Sequence, residues 1–77
     1  MVLSPCQCRM ARAAVGLSRP EFAAKANISV ATLADFELGK RTPYERTLRD
    51  VKDAFEVLGV TFLENNGDGE GVRLKNE

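Results

Sequence analysis

At 77 residues the chain has room for one domain and lies near the lower limit for a core that stands unaided. Eleven Lys and Arg balance eleven Asp and Glu, and no histidine is present, which leaves little support for His-dependent catalysis or a His-based metal site. No run approaches the roughly 20 apolar residues of a membrane span, and the first residues lack the basic-then-apolar pattern of a signal peptide, so a cytoplasmic location is expected.

Ser4-Pro5 is a helix start, a cap residue followed by proline at the first helical position. The first helix is predicted to run to about Val15, with Cys8, Ala11 and Val15 inward at i, i+3, i+7 and Gly16 as its stop. Cys6 and Cys8 fall on widely different sides of such a helix, which forbids a bridge between them and makes them reduced, structural thiols. Ser18 opens a second helix whose first turn tolerates Pro20 and favours Glu21, with an apolar face of Phe22, Ala23 and Ala26. Asn27 falls where a tight turn needs positive φ, Ile28 plugs the corner, and Ser29 caps a third helix running to about Leu38 before Gly39. Leu33 and Phe36 give that third helix its inward face, and Ala23 is small where the second and third helices cross.

Thr42-Pro43-Tyr44-Glu45 has two readings. It starts a long fourth helix directly, or it makes a short turn before a helix beginning near Arg46. Leu48, Val51, Phe55 and Leu58 then form a buried stripe, closed by Gly59. The last segment differs in kind. Val60-Thr61-Phe62-Leu63 is β-prone, Asn65 to Gly71 is dense in turn formers, and Val72-Arg73-Leu74 alternates, so a β-hairpin with a long loop is predicted. An isolated hairpin is marginal in water, so this one packs on the helices, pairs with a second copy, or both. The division expected is a helical unit over 1–59 and a hairpin over 60–77 that serves as a dimerisation element.

Charge is distributed unevenly. Residues 1–49 carry eight basic side chains against four acidic ones, and residues 50–77 carry three against seven. A basic front and an acidic back suit a protein that meets phosphate with one side only. Arg19, Lys40, Arg41 and Thr42, with Ser18 at the start of the second helix, flank the third helix and are the candidate phosphate contacts.

The ordered set Arg9-Met10-Ala11-Arg12, Gly16-Leu17-Ser18, Phe22-Ala23, Ile28-Ser29, Thr32-Leu33, Phe36-Glu37, Gly39-Lys40-Arg41 and Pro43 resembles the Cro/C1-type (Xre) helix-turn-helix family of phage repressors and bacterial transcriptional regulators, over about residues 6–63. Asn27 stands where that family usually has Gly, and Arg19 where it often has Gln. The resemblance implies an all-α, lambda-repressor-like bundle of four to five short helices, to which the C-terminal β-hairpin is added. It implies operator binding as a dimer on double-stranded DNA, often with autorepression. It places base reading on Ser29, Val30, Ala31, Thr32, Ala34 and Asp35, and pairs Arg12 with Glu37 in a structural salt bridge between the first and third helices.

The reading face has no Arg, Asn or Gln, so the common bidentate contacts to guanine and adenine are missing. Val30 and Ala31 suit thymine methyls, Thr32 donates, accepts or packs, and Asp35 accepts from cytosine N4. No catalytic residues are expected, because no Gly-rich phosphate loop follows a strand and no nucleophile is paired with a base. Gly67 to Gly71 sets acidic residues between glycines but lacks the ligand spacing of a calcium loop. No metal, cofactor, small-molecule ligand or membrane partner is expected. A second reading keeps the scaffold but turns it to protein binding, as in an antiactivator or antitoxin, on the strength of the zero net charge, the apolar reading face and Asp35.

Overall fold

The computed structural model describes residues 3–75, which form four helices, α1 (Pro5–Val15), α2 (Arg19–Ala26), α3 (Val30–Glu37) and α4 (Glu45–Val57), followed by strands β1 (Val60–Leu63) and β2 (Gly71–Leu74). The all-α class with an appended hairpin is the fold observed, with four helices rather than five among the described residues.

Local chemistry sets each boundary. At α1 the Ser4 Oγ accepts from the Gln7 N–H at 3.1 Å while Gln7 Oε1 accepts from the Ser4 N–H at 2.9 Å, a reciprocal cap. Ser18 and Glu21 repeat the arrangement at α2, at 3.2 and 2.9 Å. Asn27 takes φ 58°, ψ 44°, and the Ile28 N–H behind it reaches back to the Ala23 carbonyl at 3.0 Å, so the turn into α3 is closed by backbone as well as by packing. Ser29 caps α3, its Oγ accepting from the Thr32 N–H at 3.0 Å. Gly39 at φ 72° ends α3, with its N–H on the Phe36 carbonyl and the Lys40 N–H on the Asp35 carbonyl at 2.8 Å.

Between the two readings of Thr42 to Glu45, the structure adopts the turn: α4 begins at Glu45, its flanking residue Tyr44 is extended at ψ 152°, and no side chain caps it. Thr42 precedes proline, which disfavours helical backbone there. The strands pair antiparallel from Val60↔Leu74 to Leu63↔Gly71, so Gly71, read as loop from its composition, is the first residue of β2. Asn65 Oδ1 accepts from the N–H groups of Gly67 and Gly69, both at 3.0 Å, which organises the connecting loop from within.

The core joins helices and hairpin. Phe22 of α2 stacks on Phe55 of α4 with ring centroids 3.8 Å apart, and Phe62 of β1 meets Phe55 edge-on at 5.9 Å. Leu3, Cys8, Ala11, Ala23, Ala26, Leu33, Phe36, Leu48, Val51 and Val60 complete the buried cluster, with Val15, Ile28 and Leu58 half-buried against it. Gln7 is buried with them, and its Nε2 donates to the carbonyls of Leu63 and Gly71 at 3.0 and 3.1 Å, which ties the hairpin to α1.

Candidate nucleic-acid interface

The buried residues of α3 are Leu33, Phe36 and Glu37, which fall on one side of the helix. The opposite side carries Ala31 and Asp35 at its centre, with Ala34 and Thr32 beside them. Ser29, Val30 and Ala31 are exposed, Val30 by 43%, while Thr32, Ala34 and Asp35 are half-buried. All six residues expected on the reading face are thus at least partly accessible. The Ser29 hydroxyl donates to Thr32 Oγ1 at 2.8 Å, which holds the Thr32 side chain and leaves its own hydroxyl hydrogen to give away. The Asp35 carboxylate makes no hydrogen bond to a described residue, and its backbone carbonyl receives the N–H groups of Lys40 and Arg41.

Lys40, Arg41 and Thr42 are exposed immediately after α3, and Ser18 is exposed ahead of α2. A cleft of about 390 Å³ opens between the first turn of α3 and the start of α4, lined by Thr32, Arg41, Thr42, Pro43, Tyr44 and Thr47. Tyr44 is 87% exposed on its rim. Tyr44 and Thr47, which carry no contact expected from the sequence, share this cleft with Thr32, Arg41 and Thr42.

Below this surface lies an ion cluster centred on Glu37, whose side chain is fully buried. Arg12 grips it with two nitrogens, Nε on Oε2 at 2.8 Å and Nη2 on Oε1 at 3.0 Å, and places its third, Nη1, on the Leu17 carbonyl at 3.2 Å. The expected Arg12–Glu37 pair therefore exists as a bidentate bridge. Arg19, expected at phosphate from the sequence, makes a contact that no sequence period marks: its Nε bonds Glu37 Oε1 at 2.8 Å. Cys8 Sγ donates to Glu37 Oε2 at 3.6 Å, and Arg9 donates to the Glu37 carbonyl.

Burial pushes the Glu37 carboxyl up, but hydrogen bonds and charge from Arg12 and Arg19 outweigh that and hold it below its ordinary value. Arg12 is raised, first by its hydrogen bonds to Glu37. Desolvation, reinforced by Glu37, pushes the Cys8 thiol up to about 12. The cluster joins α1, α2 and α3 at one carboxylate and so fixes the angle at which α3 stands.

Residues 6–64 match a helix-turn-helix domain family. The chain belongs to that family. No curated protein matches the sequence. The span shared with the helix-turn-helix family takes in nearly all of α1, the three following helices and β1, so both the α2–turn–α3 unit and the ion cluster beneath it lie inside the match. Membership suggests a DNA-binding regulator. Among the described residues of this helix-turn-helix domain, no helix is long and apolar enough to cross a membrane. Cys6 is exposed and Cys8 buried, and both are free.

Proposed function

We propose that this helix-turn-helix protein is a Cro/C1-type (Xre) transcriptional regulator of the cytoplasm that binds a near-palindromic operator in double-stranded DNA as a homodimer and represses its own gene. The observation that supports the reading is the accessible outer side of α3, followed at its C-terminal end by the exposed cations Lys40 and Arg41. Two such helices on one duplex fall about one helical turn apart in successive major grooves. Residues 1–59 meet the DNA, and the hairpin over 60–77 serves the second subunit.

The chemistry of the face sets a preference. Val30 and Ala31 pack on thymine methyls, Thr32 donates its free hydroxyl hydrogen, and Asp35 accepts from cytosine N4. Ser29 and Ala34 lie against the same groove, while Ser18, Arg19, Lys40, Arg41 and Thr42 contact phosphate and fix the register. The expected half-site holds thymines next to a cytosine.

Selection of bound duplexes from a random library tests this. Enrichment of a two-fold-related, thymine- and cytosine-containing site supports the reading, and recovery of no sequence above the starting pool contradicts it. One observation favours a second reading: Asp35 sets a half-buried carboxylate at the centre of the face with no ion-pair partner among the described residues, and Leu38 is exposed one turn on. Under that reading the surface grips a protein, and stoichiometric co-purification without retention on heparin is the expected result.

A further inference from the structure

Glu37 distributes its two arginines unequally. Arg12 has all three of its nitrogens engaged, two on the carboxylate and one on the Leu17 carbonyl. Arg19 has only Nε engaged, on Oε1 at 2.8 Å, and its side chain remains 33% exposed at the first position of α2. Its Nη1 and Nη2 have no partner among the described residues. Arg12 and Arg19 both sit on the Glu37 carboxylate and Arg9 adds a third positive charge at the Glu37 carbonyl, so the cluster retains net positive charge. Of the two arginines on the carboxylate, Arg19 is the one with donors to spare among the described residues.

We infer that Glu37 is a positioning residue for Arg19: it holds the guanidinium by Nε so that the Nη1 and Nη2 edge faces outward to a backbone phosphate of the duplex. This rests on the DNA-binding reading above. A planar guanidinium suits the task because one edge bonds a carboxylate while another presents two parallel donors to phosphate oxygens. A lysine at the same position offers a point charge with rotatable donors and lacks the rigid two-edged fork. The pre-set geometry spares the immobilisation of a long side chain on binding. The same carboxylate that sets the angle of α3 therefore also sets a phosphate contact on α2.

The test measures affinity and its salt dependence for two duplexes, one selected by the wild-type protein and one of random sequence. Arg19→Gln is expected to weaken both by roughly tenfold and to lower the slope of log K against log salt by about 0.9. It should remain folded, because Arg12 still pairs with Glu37. Arg19→Lys is expected to bind several-fold more weakly than wild type despite its full charge. Glu37→Gln is expected to weaken binding in the wild-type background and to add nothing in the Arg19→Gln background, an interaction that a purely structural Glu37 would not produce.

An unchanged salt slope in Arg19→Gln, or wild-type affinity in Arg19→Lys, overturns the inference. So does an equal loss from Glu37→Gln in both backgrounds. If Glu37→Gln does not fold, the two Arg19 variants decide the matter alone. Wild-type protein that binds neither duplex overturns the DNA-binding reading itself, and a wild type that binds both with indifferent Arg19 variants overturns only this inference.

Discussion

Glu37 is the residue on which the interior electrostatics turn. Its carboxyl is held below its ordinary value of 4.5 in the folded chain. A group depressed in this way contributes stability that is fully present above the unfolded value and is lost as pH falls through the folded one. Urea midpoints should therefore decline below about pH 4.5, and the decline should be shallower in Glu37→Gln. Glu37→Ala leaves two guanidinium groups without their carboxylate and is expected to cost about 3–5 kcal/mol at pH 7 by chemical denaturation. The two thiols separate by the same logic. Cys8 is buried with its thiol pushed up to about 12, and Cys6 is exposed. A thiol reagent at pH 8 should modify one cysteine in the native protein and two in urea, with Cys6 as the native site by mass spectrometry.

At the scale of elements, the turn between α2 and α3 depends on Asn27 at φ 58°. Asn27→Gly should leave stability nearly unchanged, whereas a β-branched Asn27→Val should lose about 1–2 kcal/mol, read as a lowered melting temperature. This turn was legible in the sequence because a left-handed residue has few chemical solutions. The caps at Ser4, Ser18 and Ser29 were legible for the same reason: a short oxygen side chain before an apolar period has one common use. Thr42 to Glu45 was ambiguous because threonine and proline also open turns, and the choice depended on where Leu48 and Val51 meet the core. Gly71 reads as loop in isolation; only its pairing with Leu63 makes it strand. Nothing local in the sequence marks Gln7 as the donor to two hairpin carbonyls more than fifty positions away. Its replacement by Leu strands those carbonyls and is expected to cost about 2–3 kcal/mol, measured by urea unfolding.

At the scale of the molecule, a zero net charge conceals a basic front half and an acidic back half. The division explains how a neutral chain can present cations beside α3, and it was visible from charge order alone. The outward face of α3 was legible from the spacing of Leu33 and Phe36. The membership of Arg19 in the Glu37 cluster was not, because Arg19 and Glu37 are brought together by the crossing of helices and not by any period in the sequence. The role of that face decides the functional account, and an NMR titration of the labelled protein with a selected duplex tests it most directly. The amide signals of Ser29 to Asp35, with Arg19, Lys40 and Arg41, should shift together and saturate at one chain per half-site. Saturation with those signals unmoved, or with shifts confined to the hairpin and α4, would contradict α3 as the reading helix.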